Sequence, residues 1–280
     1  MKLAVTGATG FIGRHVVAEL ERHSISPVLI CRPSAELPAP LKKHAVVHMD
    51  LTAAPENAFQ LIGQPDRLIH LAWGGLPNYG SLYHFEKELP AQYRFLKTLV
   101  ESGLGSLMVT GTCAEYGMQS GPLSEACEAR PYNPYGFAKH MLRRQLEYLR
   151  QARPFGLTWA RLFYLHGEGQ PENSLLPQLR KAVDRGDRVF NMSGGEQLRD
   201  YLPVTELAKY LVSLALTPGD NGVVNVCSGT PVSVRSLVER WVGENAWNMA
   251  LNFGHYPYPD YEPMAFWGDR GKLDRCLRSQ

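Results

Sequence analysis

The sequence predicts an α/β protein with a doubly wound parallel sheet and a smaller, interleaved C-terminal domain. Short apolar runs alternate with longer amphipathic segments through the first half of the chain. A glycine-rich segment follows the first apolar run, and the alternation becomes irregular after about Tyr164. Parallel strands buried on both faces and joined by helices are expected to give this pattern.

Six apolar runs are predicted as strands, at residues 2–6, 27–31, 45–49, 67–71, 106–110 and 157–162. Amphipathic segments are predicted as helices at residues 13–23, 84–102 and 135–152. These elements assign the doubly wound domain to residues 1–165.

The second half of the chain is predicted to form a smaller substrate-binding domain over residues 166–280. Elements near 186–225 are expected to return to the large sheet, with apparent strands at 188–192 and 222–226. Glycine, proline and aromatic residues without periodicity predict a loop-rich cap at 248–268, which would exclude water together with 161–173.

The composition is that of an ordinary globular protein, with 44% hydrophobic and 20% charged residues. The 29 basic and 27 acidic residues are spread along the chain, so we expect no nucleic-acid or membrane partner. The five cysteines form no CxxC pair, which argues against a disulfide framework or a zinc site. The N-terminus lacks a signal-peptide core, and no apolar run approaches the roughly 18 residues that span a bilayer. We therefore expect a cytoplasmic protein without a bound metal.

The glycine-rich segment joins the first strand to the first helix with the spacing G-x-x-G-x-x-G, at Gly7, Gly10 and Gly13. Such a turn brings the backbone close to a pyrophosphate, which the helix N-terminal N–H groups bind. A glycine-rich hairpin is the alternative, but the flanking strand and helix favour a dinucleotide site of the Rossmann type. The other turn residues expected to contact the dinucleotide are Thr9, Phe11 and Ile12.

The second predicted strand ends at Arg32, where a dinucleotide site usually carries an acid that binds the ribose 2′-hydroxyl. A guanidinium suits a 2′-phosphate, so NADP(H) is the preferred cofactor and NAD(H) the alternative. An ordinary solvated arginine at a strand end is the alternative interpretation of Arg32. Asp50 and Leu51, after the third strand, are expected to bracket the adenine.

Tyr135 and Lys139 lie four residues apart at the start of a predicted helix, so both face the same side. We expect the ammonium to lower the pKa of the phenol and make Tyr135 a usable proton donor. The spacing occurs by chance in many helices, and its weight comes from a second segment. There, an apolar strand leads into the hydroxyl-bearing residues Thr110 and Thr112, at the strand edge where such sheets bind ligands. Capping of a turn by the Thr112 hydroxyl is the alternative.

At these residues the chain resembles the NAD(P)-dependent epimerase/dehydratase family, the extended short-chain dehydrogenase/reductases, which act mainly on nucleotide-activated sugars. The resemblance covers most of the chain. Besides the glycine turn, it includes residues 70–72, 112–117, 133–139, 161–169, 197–201 and 225–229. It implies that Thr112, Tyr135 and Lys139 are the catalytic residues.

The resemblance also implies binding residues. Cofactor contacts are implied for Leu71, Ala72, Trp73, Thr110, Leu162, Tyr135 and Lys139, and substrate contacts for Thr112, Cys113, Tyr164 and Arg199. Arg199 would hold the substrate diphosphate, which suits a bidentate guanidinium. Tyr164 stands where the family usually has asparagine. Glu88, Ala91 and Gln92 also depart from the family pattern, and no role is carried over to them.

Three reactions are common in the family: 4-epimerisation, 4,6-dehydration and reduction of a 4-keto sugar. Family dehydratases have acids directly after the catalytic threonine, where this chain has Cys113 and Ala114. Glu115 comes one residue later, where an extended segment would turn its side chain away. We therefore do not expect dehydration.

Arg32 favours reduction, because a net reductase draws on cellular NADPH whereas an epimerase recycles a bound NAD. Residues 70–79 and the short C-terminal region most resemble bacterial dTDP-4-dehydro-6-deoxyhexose reductases. We therefore expect an NADPH-dependent reductase of the 4-keto group of a nucleotide-activated 6-deoxyhexose. A nucleotide-sugar 4-epimerase with bound NAD is the alternative, and a non-catalytic dinucleotide-binding regulator is an alternative of another class.

Two predicted helices, 84–102 and 135–152, carry apolar residues on more than the one stripe needed to cover a sheet. Members of the resembled family pair these helices with their symmetry mates, so we expect a homodimer. Coverage by the cap or by loops is the alternative. The apolar positions are Phe85, Leu89, Tyr93, Leu96, Leu99 and Val100, interrupted by Gln92, and Met141, Leu142, Leu146, Tyr148 and Leu149.

Overall fold

The computed structural model describes residues 1–217 and 219–278; residues 218, 279 and 280 of the predicted second domain lie outside them. Its strands are β1 Leu3–Thr6, β2 Val28–Cys31, β3 Val46–His48, β4 Arg67–His70, β5 Ser106–Thr112, β6 Gly121–Leu123, β7 Gly156–Leu162, β8 Tyr164–His166, β9 Val189–Asn191, β10 Leu198–Pro203, β11 Gly222–Val226, β12 Pro231–Ser233, β13 Ala250–Asn252 and β14 Phe266–Gly268. Its α-helices are α1 Phe11–Arg22, α2 Ala58–Leu61, α3 Leu89–Glu101, α4 Pro134–Ala152, α5 Leu175–Asp184, α6 Val204–Leu216, α7 Val234–Glu244 and α8 Gly271–Arg278.

Seven strands form one parallel sheet in the order β11-β7-β5-β4-β1-β2-β3, which confirms the predicted doubly wound α/β class. All six predicted strands belong to this sheet, and β11 confirms the return predicted at 222–226. The chain winds outward in both directions from β1 and β4. A crevice is therefore expected at their carboxyl ends, where neighbouring connections leave on opposite faces.

Alternate residues of the strands pack into two hydrophobic clusters. Leu3 and Val5 of β1 pack with residues of α1, α6 and α8, whereas Ala4 packs with residues of α2, α3 and α4. The sheet is thus covered by helices on both faces, as the continuous apolar runs of the sequence require.

The predicted helix 84–102 begins with a π-helical turn, His84–Glu88, that continues into α3. Its Gln92, Leu96, Leu99 and Val100 are buried inside the chain, so they do not form an outer stripe. Phe85, Leu89 and Tyr93 stay partly exposed. The apolar surface that this helix leaves for a second contact is therefore narrower than the sequence predicts.

The return to the large sheet predicted at 188–192 is wrong. β9 pairs with β13 in a separate two-stranded sheet. Val189 and Asn191 are both exposed, so this short strand lacks the two apolar faces that the centre of the large sheet would bury.

The C-terminal half has a hydrophobic cluster of its own, built from α5, α7 and the β9–β13 pair. The predicted loop-rich cap at 248–268 contains two short strands, β13 and β14, of which β14 pairs with β6. Across the residues described, no helix is long and apolar enough to cross a membrane. The same residues contain no cluster of three or more side chains suited to binding a metal.

Candidate active site

The glycine turn is shaped by close backbone packing. Gly7 has φ +71°, and a Cβ there would lie 2.9 Å from the Ala72 nitrogen. A Cβ at Gly13 would overlap the Gly7 carbonyl and approach the Ala8 Cα to 2.7 Å. Side chains at these positions would therefore push α1 away from β1 and the end of β4.

The N-terminus of α1 fits a phosphate group. Gly10 is the N-cap residue and no side chain caps the helix, so the turn at Thr9, Phe11 and Ile12 presents backbone donors without a competing side chain. The Thr6 hydroxyl accepts hydrogen bonds from the backbone of Leu71 and Ala72, at 3.2 and 3.3 Å. These two hydrogen bonds hold the segment after β4, with its predicted cofactor residues, beside the glycine turn.

The predicted ribose end of the site lies at the carboxyl ends of β2 and β3. Arg32 directly follows β2 and is exposed, and its guanidinium has no hydrogen bond or ion pair within residues 1–217 and 219–278. Asp50 accepts hydrogen bonds from the amide and hydroxyl of Thr52, at 2.9 and 2.8 Å, which lower the pKa of its carboxyl. Asp50 thus caps the 3-10 turn Leu51–Ala53 in addition to any contact with adenine.

Lys139 lies on α4 and is buried, with 2% of the residue exposed. Its ammonium donates a hydrogen bond to the Thr110 carbonyl at 2.9 Å and lies 4.1 Å from the centre of the Trp73 ring. Burial lowers the pKa of Lys139 to about 7, although the carboxylates of Glu115 and Glu88 favour the charged form. The side chain therefore changes charge near neutral pH.

Tyr135 lies in the first turn of α4, which Asn133 caps by accepting a hydrogen bond from the Gly136 amide at 2.8 Å. Its ring packs against His84 and Tyr79, with centroid distances of 5.3 and 5.4 Å. Burial raises the pKa of the phenol, and the Thr112 hydroxyl partly opposes this. The expected lowering of this pKa is wrong for this structure, because desolvation by burial is the largest effect on the phenol and raises its pKa.

Thr112 is the last residue of β5 and lies opposite Leu162, the last residue of β7. Its hydroxyl accepts a hydrogen bond from the Ala114 amide at 3.2 Å, so the capping role considered as an alternative is present. A hydroxyl that accepts one hydrogen bond still has its proton to donate. Capping and substrate binding are therefore compatible at Thr112.

Glu115 does not lie in an extended segment, so the reason given for its side chain turning away, alternation along a strand, is wrong. Residues Cys113–Tyr116 form a 3-10 turn, and Glu115 closes a capping box by accepting a hydrogen bond from the Thr112 amide at 3.0 Å. The side chain is fully buried beneath Thr112. The sequence Thr-x-x-Glu is a known signature of such a box and was the available signal.

Two of the predicted substrate residues, Tyr164 and Arg199, bind the same carboxylate, Glu262. Tyr164 donates a hydrogen bond to Glu262 at 2.6 Å, and Arg199 donates to the other oxygen of Glu262 at 3.0 Å. Burial and the Glu262 carboxylate raise the pKa of the Cys113 thiol to about 12. Arg199 also donates to the carbonyls of Leu198 and Met264, so it is engaged by the cap in this structure.

Sequence reasoning missed three other residues of the site. Tyr79 and His84 pack on the Tyr135 ring, and Glu262 holds Tyr164 and Arg199. Trp73 donates to Nδ1 of His84 at 3.2 Å, which fixes the imidazole beside the tyrosine. No local pattern marks these residues, because their contacts join segments that are distant along the chain.

Comparison with known proteins agrees with this geometry. The family model described as "NAD dependent epimerase/dehydratase family" matches residues 3–227. A dTDP-6-deoxy-L-talose 4-dehydrogenase (NAD(+)) of Aggregatibacter actinomycetemcomitans is 30% identical over 96% of this chain and 99% of its own length. A GDP-6-deoxy-D-talose 4-dehydrogenase of the same organism is 25% identical over 85% of this chain and 78% of its own length.

Solved structures share the fold across the chain. MoeE5 in complex with UDP-glucuronic acid and NAD has a TM-score of 0.84 at 24% identity, covering 99% of this chain and 93% of that chain. The UDP-N-acetylglucosamine 4-epimerase of Methanobrevibacter ruminantium M1 has a TM-score of 0.86 at 22% identity, covering 98% and 91%. The family match and the 30% identical relative, which aligns over nearly its whole length, confirm the predicted family, and the chain belongs to the NAD-dependent epimerase/dehydratase family.

Proposed function

We propose that this protein is a nicotinamide-dependent oxidoreductase that acts at C4 of a nucleotide-activated 6-deoxyhexose, with reduction of the 4-keto group as its net reaction. The observation that carries the proposal is the convergence of Thr112, Tyr135 and Lys139 at the carboxyl edge of the sheet, beside the glycine turn. The 4-dehydrogenase relative supports it, because oxidation of a C4 hydroxyl and reduction of a C4 ketone are one reaction in opposite directions.

The glycine turn and Lys139 would hold a nicotinamide dinucleotide, which would supply the hydride for reduction at C4 or accept it in the reverse reaction. In the reduction, Tyr135 donates its proton to the developing alkoxide, and its raised pKa means that the proton is present at neutral pH. The Thr112 hydroxyl orients the same oxygen by a hydrogen bond. Lys139 binds the nicotinamide ribose, and its charge favours the phenolate that remains on Tyr135 after proton transfer.

The absence of an acid at the positions directly after Thr112 supports redox chemistry over dehydration. Cys113 has a raised pKa and Ala114 has no titratable group, so neither can protonate a leaving hydroxyl. Glu115 is held behind the threonine by the Thr112 amide. The chain therefore lacks the residues with which family dehydratases expel water.

For the cofactor we propose NADP(H), because the guanidinium of Arg32, directly after β2, has no partner among the residues that the structure describes. The 4-dehydrogenase relative carries NAD(+) in its name, so NAD(H) is the competing cofactor. For the substrate diphosphate we propose Arg199, which would exchange Glu262 for phosphate oxygens when substrate binds.

The proposal is tested with purified protein, NADPH or NADH, and a panel of dTDP-, GDP- and UDP-linked 4-keto-6-deoxyhexoses. Stoichiometric loss of the reduced-nicotinamide absorbance with one of these sugars is the expected result. A 4-epimerase is the second candidate, on the 25% identity to a UDP-glucose 4-epimerase of Halalkalibacterium halodurans. Given the corresponding 4-hydroxy nucleotide sugars, it would interconvert their C4 epimers without net absorbance change. Cofactor binding without either reaction would identify a regulator and refute both.

A homodimer is also proposed, through the outer faces of the helical segments that carry Phe85 and Phe137. These two rings pack at 6.0 Å from each other, and Phe137 is exposed. Leu82, just before the π-helical turn, and Tyr148 on α4 are exposed as well. A two-fold contact is the commonest way to bury such a surface.

A further inference from the structure

A buried carboxylate lies directly behind Thr112. Glu115 is fully buried, and its Oε1 accepts hydrogen bonds from the Thr112 amide at 3.0 Å and the Trp159 indole at 2.8 Å. Its Oε2 accepts a hydrogen bond from Arg161 Nε at 2.9 Å. At Gly111 a Cβ would overlap both the Trp159 indole and the Glu115 carboxylate, so the strand leaves room for this arrangement.

The donors to Glu115 come from different strands. The Thr112 amide ends β5, whereas Trp159 and Arg161 belong to the neighbouring β7. Three hydrogen bonds to one buried carboxylate fix the backbone at Thr112 more firmly than the strand ladder alone, because the ladder ends at this residue. The direction of the Thr112 hydroxyl follows from that backbone.

The carboxylate also lies among the charged groups of the site. Arg161 and, at 4.0 Å, Arg143 face it from β7 and α4, and His140 is a further titratable group on α4. The negative charge of Glu115 favours the ammonium form of Lys139, as does that of Glu88 on the π-helical turn. His70 on β4 is held neutral by burial and by Lys139, and Tyr135 completes the titratable groups around the ammonium.

A purely structural ion pair is a weak explanation for these residues. Burying Glu115 and Arg161 costs both groups their hydration, and a buried pair contributes little net stability relative to an apolar replacement. The side chain of Glu115 instead acts on both parts of the proposed chemistry: it binds the Thr112 amide directly, and its negative charge favours the ammonium form of Lys139.

Resting on the function proposed above, we propose that Glu115 is a positioning residue for the C4 redox step, which holds the Thr112 hydroxyl toward the reacting oxygen and keeps Lys139 cationic. Glu115 does not touch the substrate and transfers no proton. Its two contributions are separable, because one depends on the reach of the side chain and the other on its charge.

Glu115→Gln retains an oxygen that accepts from the Thr112 amide but removes the charge. The pKa values of Lys139 and Tyr135, which the Glu115 charge raises, then fall. The basic limb of the pH profile for reduction should move to lower pH by about one unit, the lower end of the effect of a nearby charge. Glu115→Asp retains the charge but is one methylene too short, so it should lower kcat about tenfold or more at every pH while leaving the basic limb in place.

Glu125→Gln is the matched control. Glu125 also accepts a hydrogen bond from a backbone amide, that of Asn225 at 2.8 Å, but it lies outside the proposed catalytic residues. The pH profile and the kcat of the Glu125→Gln variant should match those of the unchanged protein. If Glu115→Gln does not fold because Arg161 is left buried without a counter-ion, the double variant with Arg161→Met removes both charges and should show the same direction of shift.

The measurement is the pH dependence of kcat and kcat/KM for NADPH-linked reduction of the active sugar. Variants that fold and keep both the basic limb and kcat would overturn the role of Glu115 and leave the proposed function standing. Absence of turnover by the unchanged protein with every sugar of the panel would instead overturn the proposed function, and the positioning role with it.

Discussion

Tyr135→Phe removes one oxygen from the proposed proton donor and keeps its ring in place. The ring is 9% exposed and packs against Tyr79, His84 and Trp73 at centroid distances of 5.3–6.1 Å. These contacts involve the ring and not the hydroxyl. The free energy of unfolding should therefore change by only about 1 kcal/mol, the net value of one hydrogen bond.

The effect on turnover should be much larger. A positioned general acid contributes about 10²–10⁴-fold to a rate, which corresponds to about 3–5 kcal/mol of activation free energy. Because the loss of activity exceeds the expected loss of stability, the variant should be folded, bind cofactor normally and turn over slowly. Its kcat should fall while the Kd for the cofactor stays the same.

The assay combines thermal unfolding, cofactor binding followed by reduced-nicotinamide fluorescence, and initial rates with the active sugar. Tyr132→Phe is the control, since Tyr132 is 66% exposed and lies just before α4, outside the proposed catalytic residues. A kcat for Tyr135→Phe within a few-fold of that of the control, in a folded variant, would show that the proton comes from another group.

Four further outcomes are expected. Arg32→Ala should weaken NADPH binding by about 1.5–3 kcal/mol, the value of a charge-assisted hydrogen bond, and leave NADH binding nearly unchanged; equal losses in titrations of both cofactors would contradict the NADP(H) assignment. Gly13→Ala should lower the free energy of unfolding by about 1–3 kcal/mol and weaken the binding of both NADPH and NADH, because the added Cβ meets the backbone of Gly7 and Ala8. An unchanged Tm and an unchanged Kd for both cofactors would contradict this. Since Lys139 loses its proton as the pH rises through about 7, kcat/KM for reduction should fall above that pH, and a flat profile from acidic to basic pH would refute the need for the ammonium. Size-exclusion chromatography with light scattering should give the mass of two chains at micromolar concentration, and a dominant species of one chain would refute the homodimer.

Much of the fold follows from the sequence because it depends on local patterns. The runs that became β1 and β2 are apolar at three or more consecutive positions, which indicates strands buried on both faces. The segment at 188–192 has a similar composition but became a short strand of a separate pair, because the partners available to it decide which sheet it joins.

Within the candidate site, sequence spacing predicts relations along one element. The shared helical face of Tyr135 and Lys139 and the glycine turn at Gly7–Gly13 are of this kind, and the structure has both beside the ends of β4 and β5. The direction of the pKa shift of Tyr135 was predicted wrongly, because spacing reveals the neighbouring ammonium but not the burial of the phenol, which raises its pKa.

The sequence by itself therefore determined the doubly wound sheet, the dinucleotide turn and the residue types available for proton transfer. Only the tertiary structure decided that Glu115 lies buried between Thr112, Trp159 and Arg161, and that Glu262 engages Arg199. The physical reason is that periodicity and turn chemistry act over a few residues. Burial, charge pairing and hydrogen bonds between strands depend on groups that are 44 to 63 residues apart in the chain and become neighbours only when it folds.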